Sequence, residues 1–126
     1  MNTVAARRHR REARAKGAVM KFLVLAYGDE KDWNALSKTE QDALLAQDEV
    51  LRRRGDLVSA VRPATTVRTR NGQVTTMPGP FARATAPLAG FGLIEADTVE
   101  EAIALVAKTP CAVAGGAVEV WPTWQP

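Results

Sequence analysis

The amino-acid sequence predicts an α+β fold, a ferredoxin-like βαββαβ sandwich carrying an inserted β-hairpin, with two helices on one face of an antiparallel sheet. Three observations predict it. Apolar runs of strand and helix period follow the order β-α-β, hairpin, β-α-β; a cap residue with Glu three positions on marks each helix start; and an Asn-Gly pair marks the hairpin. At 126 residues, 46% of them apolar, the chain suits one compact domain with a modest core.

The first strand is Phe22–Tyr27, entered through Met20-Lys21. It is apolar at every position, which marks a central strand covered on both faces. Gly28-Asp29 ends it, and a polar loop containing Trp33 follows. Ser37 and Glu40 form a capping box, so a helix is expected from Lys38 to Arg54, with Ala43, Leu44, Val50 and Leu51 towards the core and Gly55 as its stop. Leu57–Val61 reads as a strand ended by Pro63. Thr65–Arg70 and Gln73–Met77 flank Asn71-Gly72, which favours a type I′ turn. Beyond a Pro-Gly-Pro corner, Phe91–Ala96 is the next strand. Asp97 and Glu100 repeat the cap spacing before a helix to about Lys108 that buries Val99, Ile103 and Val106, and Thr109-Pro110 ends it. Ala117–Trp121 is the last strand, Val118 and Val120 on one face, Glu119 and Trp121 on the other. Two helices cover one sheet face only. A second copy of the sheet is the simplest cover for the other, which predicts a homodimer.

The net charge of +3 is unevenly placed. Arg7, Arg8, Arg10, Arg11, Arg14 and Lys16 precede Met20 against Glu12 alone, so the remainder is mildly acidic. Residues 1–19 read as a basic, disordered arm and residues 20–126 as the α+β domain; Met20 is also a candidate natural start. The arm has no aromatic residue to stack on bases, so nucleic-acid binding is not expected. It lacks the apolar core of a secretory signal, and no apolar stretch approaches the length needed to cross a bilayer. One cysteine, Cys111, forms neither an internal disulfide nor a Cys-based zinc site, and a reducing cytoplasm is the expected location.

The segment Thr75-Thr76-Met77-Pro78-Gly79-Pro80-Phe81 fixes φ at two prolines and frees it between them, setting the place of Phe81. It resembles the Gly-Pro-Phe signature of the YCII-related proteins, also called the DGPF family after an Asp-Gly-Pro-Phe motif; Pro78 occupies the Asp position here. The likeness runs on through Met20–Glu30, Trp33, Leu36-Ser37, Pro63–Arg68, Leu88–Phe91 and Gly116–Pro122, and so spans Met20 to Trp124. The resemblance implies a dimeric α+β barrel. It implies no settled activity: a few relatives are proposed enzymes acting through a His–Asp pair. Members are often encoded beside extracytoplasmic-function sigma factors, which implies a regulatory protein partner. This chain departs from the pattern in Ala82-Arg83-Ala84-Thr85-Ala86-Pro87, where most of the family's charges are missing. Relatives often carry a histidine in the first helix, whereas the only histidine here is His9. The ancestral acid–base equipment therefore reads as degraded.

Asp29, at the end of the first strand, is the best surviving acid; the competing role is to stabilise a turn through its own backbone. Phe81, Trp33 and Tyr27 would line a small-molecule pocket, with Arg62, Arg68 and Arg83 available to a carboxylate or phosphate. Alternatively the aromatics pack a dimer core and the arginines are solvated. Trp121 and Trp124 suit a dimer edge, and Cys111 a buried inert thiol. No metal cluster, P-loop, dinucleotide fingerprint or Ser-His-Asp set is present, so neither a metal nor a cofactor is expected. The expected function is a small-molecule-binding or accessory regulatory homodimer. The alternative is an enzyme using Asp29 as general acid or base on a small aromatic or carbonyl substrate.

Deleting residues 2–19 should leave the melting temperature and the oligomeric mass unchanged, measured by thermal melts and light scattering. A melting point lowered by more than a few degrees, or a change of mass, would make the arm part of the fold.

Overall fold

The computed structural model describes residues 20–124; the expected disordered arm, residues 1–19, lies outside the described residues. The chain order is β1 (Met20–Tyr27), α1 (Glu30–Asn34), α2 (Lys38–Arg53), β2 (Leu57–Ala60), β3 (Thr65–Arg70), β4 (Gln73–Pro78), β5 (Leu88–Ala96), α3 (Val99–Val106), α4 (Pro110–Val113) and β6 (Ala117–Pro122). This is a mixed α+β fold. A four-stranded antiparallel sheet has the order β2-β5-β1-β6, and β3 and β4 pair in a separate two-stranded sheet.

Strand register sorts the main sheet into two faces. Towards the helices lie the rows Val58–Gly92–Val24–Val120 and Ala60–Gly90–Ala26–Val118, with Phe22 opposite Ile94 beyond them. Away from the helices lie Leu57–Leu93–Leu23–Trp121 and Ser59–Phe91–Leu25–Glu119. The core is on the helix side, where Phe22, Val24, Ile94 and Ala96 meet Ala102 and Val106 of α3. On the other side Leu57, Leu93 and Trp121 are 44–53% exposed.

Helix α2 is held at three points. At its start, Ser37 Oγ accepts from Glu40 N at 3.1 Å and Glu40 Oε1 accepts from Ser37 N at 3.0 Å, and these bonds hold the Glu40 carboxyl below its ordinary value. At mid-length Gln47 Nε2 donates to Leu105 O at 2.8 Å. Beyond its end Arg54 Nη2 donates to Glu95 O at 2.8 Å, while Arg54 Nη1 lies 3.4 Å from the buried Asp56 Oδ2 and Asp56 Oδ1 accepts from Glu95 N at 3.3 Å.

Several expectations are corrected. Trp33 lies in helix α1, not in a loop: Asp29 Oδ1 accepts from Lys31 N at 3.1 Å, and Glu30 and Asp32 occupy the positive first turn. Ala43 and Val50 are exposed, because α2 turns Leu44, Gln47, Asp48 and Leu51 inward instead. The cap of α3 is Thr98, one residue later than Asp97. Thr98 Oγ1 accepts from Glu101 N at 3.1 Å, and Glu101 Oε2 accepts from Asp97 N at 3.2 Å. Ile103 accordingly rotates outward and is half exposed, leaving Ala102 and Val106 buried. Strand β5 begins at Leu88 rather than Phe91, and Pro110 starts the short helix α4 as its first residue. The hairpin turn agrees with expectation: Asn71 and Gly72 sit at φ 49° and 77°, the two positive values a type I′ turn needs.

Asp56→Ala should destabilise the fold by about 3 kcal/mol, since it leaves the half-buried Arg54 without its anion and Glu95 N without an acceptor. Urea unfolding measures it. A loss under about 1 kcal/mol would mean that the pair does not hold the α2 end.

Candidate functional site

The rows beneath the helices shrink from one end to the other. Phe22 and Ile94 fill the first end; at the other the row is Ala60, Gly90, Ala26 and Val118. Little side chain rises from this thin end to meet α2, and a cleft remains there. A Cβ on Gly90 would lie 2.9 Å from the backbone oxygen of Ser59, so the close approach of β2 and β5 keeps this position bare.

The cleft has two adjoining chambers. The first, about 270 Å³, lies between the sheet floor and α2, with Val24, Ala26, Gly90, Gly92 and Leu51 among its walls. The second, about 510 Å³, opens beside Gly28, Asp29, Trp33, Val61 and Leu88. Leu45, Asp48, Ala60, Ala89, Pro110 and Cys111 border both. Gly28 brings the two sides together, because a Cβ there would meet Cys111 Sγ at 2.9 Å.

Asp48 is the group that sequence reasoning missed. Burial holds its carboxyl above the ordinary value, partly offset by the Arg52 charge. Burial likewise raises the Cys111 thiol, and the neighbouring Asp48 charge adds to it, so the sulfur is a poor nucleophile. A signal was present in the sequence. Asp48 stands four residues after Leu44 and three before Leu51, on the inward stripe of an amphipathic helix.

The residues singled out from the sequence are spread over three places. Asp29 and Trp33 line the second chamber, and the Asp29 carboxylate also caps α1. Tyr27 faces the opposite side of the sheet, where its hydroxyl donates to Glu119 Oε1 at 3.0 Å; that bond holds the phenol above its ordinary value. Trp121 Nε1 donates to the same oxygen at 3.1 Å. Phe81 is 72% exposed, with the Arg68 guanidinium 5.6 Å from its ring centre, and Arg62 and Arg83 are exposed. The walls of the two chambers include none of Tyr27, Phe81, Arg62, Arg68 and Arg83. Among the described residues no three His, Cys, Asp or Glu side chains gather into a group that could hold a metal. No helix in the same range is long and apolar enough to cross a membrane.

A family model described as the YCII-related domain matches residues 20–125. No curated protein matches the chain.

Because the folded pKa of Asp48 lies above the unfolded one, Asp48 favours folding while protonated, and that contribution is lost as pH rises through the folded value. Asp48→Asn should therefore raise the melting temperature at neutral pH and flatten its decline from about pH 4 upward. Thermal melts across pH check it. An unchanged or lower neutral melting point would mean that Asp48 is stabilised in its charged form.

Proposed function

The chain belongs to the YCII-related domain family, and on that footing we propose that it is a small-molecule-binding homodimer whose ligand occupies the cleft under α2. The observation that carries the reading is the cleft itself: apolar walls, a floor of small residues, and one half-buried carboxylate at the junction of its chambers. Leucine at position 26 would extend into the first chamber. Fragment screening by ligand-observed NMR should therefore give hits with the wild-type chain that vanish in Ala26→Leu, while the melting temperature holds or rises. Hits that persist unchanged in Ala26→Leu would place binding elsewhere, and a screen without hits would reject the reading.

The homodimer is supported by the apolar row Leu57–Leu93–Leu23–Trp121 on the helix-free face. Two such faces packed together would make a dimeric α+β barrel, and the order β2-β5-β1-β6, with the hairpin set aside, supports the ferredoxin-like reading. A charge at the centre of that row would be buried unpaired in the dimer, so Leu93→Glu should halve the mass found by light scattering. A wild-type monomer, or a Leu93→Glu dimer, would overturn this. An accessory role through a regulatory protein partner is supported by an exposed apolar surface on the hairpin, Val67, Val74 and Met77, with Phe81 just beyond it. A chain whose one cysteine is a half-buried thiol suits the reducing cytoplasm.

Catalysis at the same cleft is the second reading, favoured by the position of Asp29 on the second chamber. Acting as general acid or base on a small aromatic or carbonyl substrate, Asp29 would work through Oδ2 while Oδ1 keeps its bond from Lys31 N. Should turnover be found, Asp29→Asn abolishing it in a normally melting protein would support this reading, and turnover within a factor of a few would reject it.

A further inference from the structure

Asp48 borders both chambers, and among the described residues its carboxylate accepts no hydrogen bond and makes no ion pair. Two groups near it are polar. Arg52, one turn along α2, lies 3.8 Å from Glu49 Oε2 and is therefore already shared with another anion. Cys111, from α4, presents a thiol that burial keeps protonated. The rest of the shared wall is Leu45, Ala60, Ala89 and Pro110. Arg52 also lines the first chamber but faces Glu49, and Asp29 and Glu30 line the second, so carboxylates outnumber cations in the cleft and Asp48, at the junction of the chambers, has no cation dedicated to it.

We propose that the ligand of this cleft is a compact organic amine, its ammonium group against the Asp48 carboxylate and its apolar body over the floor formed by Ala26, Gly90 and Gly92. The proposal rests on the cleft being a ligand site. A carboxylate ligand would meet the like charge of Asp48, and a wholly apolar one would strip more water from Asp48 and give nothing back. An ammonium returns a charge-assisted hydrogen bond in place of the lost water, and the chambers, about 270 and 510 Å³, have room for a single-ring molecule.

Three near-isosteric probes test it: benzylamine, benzyl alcohol and benzoate, titrated at neutral pH into the isotope-labelled full chain and followed by NMR at the amides of Ala26, Gly90 and Cys111. Benzylamine should bind about tenfold more tightly than benzyl alcohol, with benzoate weakest. Asp48→Asn, checked by its melting curve, should bring benzylamine down to the level of the alcohol, and Arg52→Gln should leave the order unchanged. Equal or tighter binding of benzyl alcohol or benzoate at these amides would reject the amine while leaving the cleft as a ligand site. A preference for benzylamine that survives Asp48→Asn would also reject it. If none of the three moves these amides, the amine proposal fails, and the Ala26→Leu fragment screen separately decides whether the cleft binds anything else.

Discussion

The size gradient along the helix-facing side of the central strands is the constraint from which the rest of the structure follows. On β1 the inward residues run Phe22, Val24, Ala26, and on β5 they run Ala96, Ile94, Gly92, Gly90, so opposed pairs shrink from Phe22–Ile94 to Ala26–Gly90. A helix spans this taper as a nearly straight rod and cannot follow it down. Contact is therefore close where Ala102 and Val106 of α3 meet Ile94 and Phe22, and open where the row becomes Ala60–Gly90–Ala26–Val118. A core filled evenly with large residues would have no cleft and no reason to turn an aspartate inward.

What keeps α2 from collapsing into that gap is polar. Gln47 reaches the carbonyl of Leu105, and the Arg54–Asp56 pair grips both backbone groups of Glu95, so the helix is tied to α3 and to β5 at fixed distances. Buried charge pairs often add little net stability over an apolar replacement. Their geometry is directional in a way that apolar packing is not, and here that directionality sets the height of the helix above a floor too small to support it.

Much of this was legible locally, and the parts that were not have identifiable causes. The capping box at Ser37 and the Asn71-Gly72 turn depend on residues within a few positions of one another, and both formed as the spacing requires. The second cap was misplaced by one residue because Asp97 and Thr98 are both good caps and Glu100 and Glu101 both follow at the right distance; the local signal is degenerate. Five-residue α1 is too short to show a period around Trp33. The Pro-Gly-Pro corner fixes local dihedral angles but not which way the loop faces, and Phe81 is exposed in the bend that follows the hairpin. The cleft was hidden for a different reason. Ala26, Ala60 and Gly90 lie on three strands, and only the register that pairs Ala26 with Gly90 and Gly90 with Ala60 shows them to be one bare row.

The same strand serves both faces of the sheet, and this couples the two proposed surfaces. Alternation along β1 gives Val24 and Ala26 to the cleft and Leu23 and Leu25 to the helix-free side, so a slip of one residue against β5 would exchange them and close the cleft with leucine. The pairing shifts only between Ala26 and Tyr27, where Tyr27 stands opposite Leu88 and Ala89 is passed over. That irregularity falls where the duties of the strand divide. Before it lies the floor of the first chamber. After it Tyr27 bonds Glu119 on the far face, while Gly28 and Asp29 turn back to line the second chamber. A regular strand would continue the alternation; the extra residue on β5 lets β1 end with one side chain committed to the open face and the next two residues committed to the cleft.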